Sequence, residues 1–480
     1  MRPLEIALSL INVLILFILT IPGLRTRHWM VNVTLFALPF AGIQILVEGP
    51  RWQMVPAYAL SVFFALVWLL LNLEPGTRFI QRIVSHPLEI GLFFVLAIFG
   101  LTVSVALPLI FPVFHFPKPT GPYAIGTLTY HWIDTSRPEL FTADPNDHRE
   151  LMVQVWYPAQ SEPSMPRAPY LSDPEIFAPV ARLMHLPSFI FGHLKYVTTN
   201  AVPSAPMADD ESSYPVLIFL SGRLGYRQSN TFQVEELVSH GYIVAAIDQP
   251  YAAAGVVFPD RHLVTMDPRM YDPAHPGHPA FYNTAIPFLA QDVSFTLDQL
   301  AALDRSDPND ILKGRLDMTR VGIFGVSLGG IETGEACLRE PRLRACLVMD
   351  AFMPADVVRS GLHQPTMWIS RDAKTMQREG WAQADIDETQ TTMRAVYQSI
   401  PVGGYLVRVP GMFHLNFTDA PYFSPLAPLL GLSGPFDAKR GFAIINAYSI
   451  AFFNQELKNQ PSVLLNGSSK QYPEVLFKKR

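Results

Sequence analysis

Gly325-Val326-Ser327-Leu328-Gly329-Gly330 is the stretch from which the rest of this chain can be read. It follows Val321-Gly-Ile-Phe324, a short apolar run of the kind buried strands show, and it leads into an apolar-periodic stretch, 328–338. A strand that turns this tightly into a helix leaves no room for side chains beside the serine, and the flanking glycines relieve the clash. The serine hydroxyl is then exposed at a helix N-terminus, where the dipole and free backbone N–H groups favour negative charge. Spacing and flanks together make Ser327 a candidate nucleophile.

Outward from this elbow, strand-like and helix-like stretches take turns. Residues 151–157 alternate as a half-buried strand, while Val216-Leu-Ile-Phe-Leu220 is continuously apolar, as a fully buried strand should be. A helix over 231–239, a strand over 242–247 and a long amphipathic helix over 284–303 lead up to the elbow. Strands at 345–349, 366–370 and 405–409 follow, with helices at about 388–398 and 439–457. Such alternation implies a mostly parallel sheet covered on both faces. With the serine elbow, it predicts the α/β-hydrolase fold. Two stretches break the rhythm, 161–213 and 251–282, and read as insertions over the catalytic edge.

A serine hydroxyl needs a base, and the base needs an orienting acid. In this fold they come in the order Ser, Asp or Glu, His, each at the C-terminal end of a strand. Asp350 ends the strand 345–349 and is the expected acid, with Asp356 and Asp372 as its rivals. His414 follows the strand 405–409 and is the expected base; His363 precedes a strand and sits at the wrong end. His275 and His278 lack the carboxylate or cysteine companions of a metal site and read as loop residues, so neither a metal nor a cofactor is implied. The oxyanion hole is expected from the backbone N–H groups of Leu328 and of Arg223 (or Leu224), in Leu220-Ser-Gly-Arg-Leu-Gly225.

The first 115 residues are of another kind. Four apolar runs, 4–24, 29–47, 54–73 and 88–114, approach or exceed the roughly 20 residues that cross a bilayer. They predict a four-helix transmembrane anchor, with few charges (Glu5 and Glu89 near the ends) and aromatics such as Trp29 and Trp52 at the flanks. So few ionisable groups argue against a channel or transporter. Arg25, Arg27, Arg78 and Arg82 lie in the loops of one side, against Arg2, Arg51 and Lys118 on the other; this places both termini, and the large domain, outside. Prolines 108, 112, 117, 119 and 122 mark a proline-rich linker and entry to the hydrolase domain over 116–149, with the catalytic domain from 150 to 480. A net charge of −5, without a basic block, excludes a general nucleic-acid binder. Phe477-Lys-Lys-Arg480 reads as a solvated tail, and Cys337 and Cys346 as two small buried side chains, with a bridge or a reactive thiol as the alternatives.

Four ordered motifs resemble the platelet-activating factor acetylhydrolase family of the plasma and intracellular lipase type. They are Ser239-His-Gly-Tyr-Ile-Val-Ala-Ala246, the elbow itself, Met349-Asp350-Ala-Phe-Met353 and His414-Leu-Asn-Phe417. Gly121-Pro-Tyr-Ala-Ile-Gly126 is similar to the family's opening. Val326 stands where the family usually has His, and Ser221-Gly-Arg-Leu replaces its His-Gly-x-Gly type oxyanion loop. The resemblance implies a calcium-independent hydrolase that removes short or oxidised sn-2 acyl groups from phospholipids, or cleaves other lipid-like or small esters. The alternatives are an acyltransferase with the same triad and a non-catalytic membrane receptor or binding protein.

Overall fold

A computed structural model describes residues 1–21, 32–72, 87–160, 164–271, 275 and 278–480. These form two compact units. One comprises Met1–Phe114 with Phe189–Tyr196 and Phe423–Leu426; the other comprises His115–Ser188, Val197–Tyr422 and Ala427–Arg480.

The first unit is built on helices α1 (Pro3–Thr20), α2 (Ala37–Glu48), α3 (Val55–Asn72) and α4 (Pro87–Ile110). Along α1, Leu8 and Ile15 are fully buried while Leu10, Leu14 and Phe17 point outward. A helix apolar on every side suits a lipid surround. Among the described residues, two helices are long and apolar enough to cross a membrane, Pro3–Thr20 and Trp52–Leu70, rather than four. The second run breaks into a 3-10 turn, Val33–Phe36, and the twelve residues of α2. Pro39 sits in the first turn of α2, where a missing N–H is tolerated, so the helix starts there instead of running through. In the fourth run α4 continues from Pro87 to Ile110 with Pro108 inside it, and its stretch Val95–Ile110 is apolar. The basic residues Arg25, Arg27, Arg78 and Arg82 lie outside the described residues.

One of the few charges expected in these helices is buried. Glu5 is buried and accepts from Arg51 Nε at 2.6 Å and from Arg2 Nε at 2.9 Å. A buried carboxylate needs such partners. The segment Phe189–Tyr196 packs within the same unit: Trp52 Nε1 donates to the Ile190 carbonyl at 3.1 Å, and Tyr196 Oη to that of Pro50 at 2.7 Å.

The second unit holds a ten-stranded sheet in the order β12-β11-β10-β9-β8-β4-β5-β2-β1-β3. The strands are β1 (Ala124–Pro138), β2 (His148–Ala159), β3 (Ala201–Pro203), β4 (Tyr214–Leu220), β5 (Ile243–Asp248), β8 (Leu316–Val326), β9 (Leu343–Met349), β10 (Thr366–Ser370), β11 (Gly404–Arg408) and β12 (Leu476–Lys479). A small separate hairpin pairs β6 (Gly255–Val257) with β7 (Leu263–Thr265) inside the second insertion. Neighbours from β5 through β4, β8, β9 and β10 to β11 are all parallel. Helices α5 (Phe177–Leu183), α6 (Thr231–Ser239), α7 (His278–Arg305), α8 (Leu328–Arg339), α9 (Ala355–Ser360), α10 (Ala373–Glu379), α11 (Gln383–Ser399) and α12 (Ala438–Lys458) complete the unit. α6 packs on α12 through Phe232 and Phe442, whose ring centroids are 4.3 Å apart. α7 packs against α8.

Three expectations change here. The sheet already begins at Ala124, inside the stretch read as linker, and β1 pairs antiparallel with β2. The supposed tail is the edge strand β12, antiparallel to β11. Cys337 on α8 and Cys346 on β9 are both buried, as expected, but they form a disulfide with Cα atoms 6.7 Å apart.

The chain runs outward from β4 to β5 in one direction and from β8 to β11 in the other. The order therefore reverses between β4 and β8. In open α/β sheets the crevice beyond the carboxyl ends of the strands at such a reversal is where ligands bind. The loop after β4 and the turn after β8 meet there.

Candidate active site

Ser327 stands between β8 and α8 with φ 57° and ψ −121°. An L-residue pays for positive φ, and the surroundings must hold it there. Its N–H donates to the Met349 carbonyl at 2.9 Å, which ties the turn to β9. The elbow glycines are required by contact. A Cβ on Gly325 would lie 2.2 Å from the Gly329 carbonyl oxygen, and one on Gly329 2.2 Å from that of Leu220.

Asp350 leaves the end of β9 with φ 45°, and its N–H donates to the Ile369 carbonyl of β10 at 3.0 Å. His414 opens a short 3-10 turn, His414–Phe417, after β11. Three strand ends thus deliver three side chains to one point. His414 Nε2 lies 2.9 Å from Ser327 Oγ, and His414 Nδ1 lies 2.6 Å from Asp350 Oδ2. Asn416 Oδ1 accepts the N–H groups of Phe413 and Gly434, each at 2.7 Å, and fixes the histidine loop.

The rival acids are engaged elsewhere. Asp372 caps α10 by accepting from Thr375 N at 3.0 Å, and Asp356 pairs with Arg339 at 2.9 Å. His363 precedes β10, at the other end of the sheet. The His275-Pro-Gly-His278 stretch lies partly outside the described residues.

Asp350 is 3% exposed, and burial pushes its carboxyl up. The Arg371 guanidinium and the hydrogen bond with His414 outweigh that and hold it below the usual carboxylate range. Asp350 is therefore ionised at neutral pH, beside His414 Nδ1. Sequence reasoning missed Arg371. The signal was its place just beyond β10, the strand beside the one that carries the acid.

The oxyanion loop follows β4. Gly222 is pressed against Ser327, and an added Cβ would meet Ser327 Cβ at 3.1 Å. Leu224 has φ 61°, and Gly225 N–H closes the turn onto the Gly222 carbonyl at 2.8 Å. Leu328 is the first residue of α8, so its N–H has no helical acceptor. Arg223 lines a cavity of about 700 Å³ together with Ile331, Phe352, Met353 and Glu388. Arg223, Phe352 and Met353 come from the loops after β4 and β9, beside the two candidate triad strands.

Comparison with known proteins places the chain in a family. The family model of platelet-activating factor acetylhydrolase, isoform II, matches residues 110–262 and 292–469. The chain is 25% identical over 363 residues to platelet-activating factor acetylhydrolase of Cavia porcellus, covering 71% of this chain and 78% of that one. It is 23% identical over 389 residues to a probable 1-alkyl-2-acetylglycerophosphocholine esterase of Arthroderma benhamiae, covering 76% and 94%. Among solved structures, a ferulic acid esterase from Streptomyces cinnamoneus superposes with a TM-score of 0.61 at 28% identity, over 77% of this chain and 100% of that chain. Motif order, sheet topology and these likenesses converge: the chain belongs to the platelet-activating factor acetylhydrolase, isoform II, family and is a carboxylic ester hydrolase.

Proposed function

We propose that the protein is a membrane-anchored serine hydrolase that cleaves short-chain or oxidised phospholipid esters, or similar lipid-like esters, through an acyl-enzyme on Ser327. The single observation that carries this reading is the relay Ser327 Oγ–His414 Nε2–Nδ1–Asp350, with links of 2.9 and 2.6 Å. His414 takes the hydroxyl proton as Ser327 Oγ bonds to the ester carbonyl carbon. The N–H groups of Leu328 and Arg223 stabilise the oxygen that becomes negative. The bond to the alcohol then breaks, and the alcohol leaves with the proton from His414. Water, deprotonated by the same imidazole, attacks the acyl carbon, and the acid departs with Ser327 restored. The apolar N-terminal helices form a membrane anchor, residues from about 115 onward form the catalytic part, and that part lies on the extracytoplasmic side. A tethered enzyme meets esters concentrated in the bilayer, which favours a lipid substrate.

The test is an ester panel, from acetyl and oxidised phospholipids to small aryl esters, assayed with wild type and Ser327→Ala, alongside labelling by a fluorophosphonate. Turnover should fall by about 10⁴-fold or more in the variant, and the label should vanish with it. Equal turnover by both proteins ends the proposal. Transesterified product without free acid points to an acyltransferase, and a wild type that neither turns over nor labels points to a binding protein.

A further inference from the structure

Behind the relay, two further charged side chains close a ring around it. Arg371 is fully buried, with Nε 3.1 Å from Asp350 Oδ1 and 3.0 Å from Oδ2. Its Nη1 forms an ion pair with Glu379, at the end of α10. Glu379 in turn accepts the backbone N–H of His414 through Oε1 at 3.0 Å. The circuit Asp350–Arg371–Glu379–His414 returns to Asp350 through the imidazole. Trp381 covers it: the Arg371 guanidinium carbon sits 4.3 Å from the Trp381 ring centroid, and the His414 ring lies 5.3 Å away at 61°. Ser370 Oγ also donates to Asp350, at 3.2 Å.

We infer that Arg371 and Glu379 are a positioning pair that sets the net charge the triad presents to the imidazole, and with it the pH at which the enzyme becomes active. The inference rests on the triad reading above. The groups that face His414 are Ser327 at Nε2, Asp350 at Nδ1, Glu379 at the backbone N–H and the Trp381 ring, with Arg371 directly behind Asp350. Two carboxylates and one guanidinium leave a net charge of −1. Removing Arg371 makes it −2, which favours imidazolium and disables the base until a higher pH. Neutralising Glu379 makes it zero, which does the reverse. A lone Asp–His contact would drift, whereas here the acid is held from two sides and the base is held by both ring and backbone.

The experiment is the pH profile of kcat/KM for Arg371→Gln, Arg371→Lys and Glu379→Gln, each with its thermal midpoint recorded. Glutamine at 379 keeps a carbonyl to accept the His414 N–H, so its effect is that of charge. The acid limb should move up by about 1 pH unit in Arg371→Gln, move down by a smaller step in Glu379→Gln, and return towards wild type in Arg371→Lys. Merely structural residues would lower kcat and the midpoint without opposite displacements. Limbs that stay put, or move the same way in both neutralising variants, overturn the inference. Should Arg371→Gln fail to fold, the downward shift in Glu379→Gln decides alone. Ser327→Ala run in parallel separates the two failures. Turnover surviving in that variant condemns the triad itself, whereas a dead variant with unmoved limbs condemns only the positioning pair.

Discussion

Ser327, Asp350 and Leu224 all hold positive φ, at 57°, 45° and 61°, and all three stand at the reacting end of the sheet. Each such residue costs on the order of 1–3 kcal/mol, which the packing around it must offset. The margin for error is therefore small. Gly222→Ala should show this, because its Cβ would press on Ser327 Cβ at 3.1 Å and on the Val326 carbonyl at 3.2 Å. We expect kcat to drop roughly 10²-fold with the thermal midpoint little changed, since displacing reacting groups by a fraction of an ångström is enough. A kcat within twofold of wild type would mean that the loop after β4 does not set the nucleophile. A second residue gives a pH effect far from the chemistry. Glu235, on α6, is 1% exposed and accepts from Asn200 N at 2.5 Å and from Nδ2 at 2.7 Å. Burial outweighs those bonds and pushes its carboxyl up to about 7, against 4.5 for the free group. Between those values the folded state keeps a proton that the unfolded chain releases. The stability this confers is complete below about pH 4.5 and is lost as pH rises to about 7, up to about 3 kcal/mol in total. Melting curves from pH 5 to 8 should fall more steeply for wild type than for Glu235→Gln, and parallel slopes would count against the argument.

At the scale of elements, the Cys337–Cys346 bridge staples the helix after the nucleophile to the strand that ends in Asp350. It closes a short loop, so the chain-entropy estimate for its contribution is about 2–3 kcal/mol. Cys337→Ser should lower the thermal midpoint while leaving KM for a soluble ester unchanged, and thiol titration of the denatured, unreduced wild type should find no free thiol. Two titratable thiols in that sample would show the bridge to be absent. The bridge is also an instance of what sequence conceals: nine residues of separation reveal neither Cα distance nor side-chain direction. Where periodicity is strong, the sequence is a good guide. The helix 231–239 and the strand 366–370 end where expected, because each is bounded by a change of period. β1 was overlooked although Leu128, Tyr130 and Trp132 alternate along it and pack on the core; the prolines just before it suggested a linker instead. β12 carries Lys478 and Lys479, as an edge strand often does, and only pairing with β11 distinguishes it from a tail. Ser327, Asp350 and His414 could be singled out as candidates because the fold assigns each to a strand end. Arg371 and Glu379 were not, because nothing local shows that a guanidinium beyond one strand reaches the carboxylate beyond its neighbour.

For the whole molecule, two lines of physics bear on which side of a membrane the catalytic part occupies. Disulfides persist in oxidising compartments, and the Cys337–Cys346 bridge belongs to the hydrolase unit. The surplus of arginines in the loops between the apolar runs is in line with the same side, the extracytoplasmic one of the proposal. The unit that holds the helices also includes Phe189–Tyr196, a segment lying in sequence between β2 and β3 of the sheet. That segment is fixed there by Trp52 Nε1 on the Ile190 carbonyl, by Tyr196 on the Pro50 carbonyl, and by Trp52 against Phe189 with ring centroids 5.6 Å apart. Chain that has lost those partners must expose Leu194 and His193, both buried in the intact protein. A truncated chain starting at His115 should therefore melt below the full-length protein in the same detergent, since ~1 kcal/mol shifts the midpoint of a domain of roughly 150–250 residues by roughly 2–4 °C and that of a larger one by somewhat less. Limited proteolysis should cut it first within 189–196, a stretch that stays resistant in the full chain. Because the relay of Ser327, His414 and Asp350 draws nothing from the helices, hydrolysis of a soluble aryl ester should survive truncation at temperatures well below the melt. Equal midpoints and identical cleavage patterns would reduce the helices to an anchor.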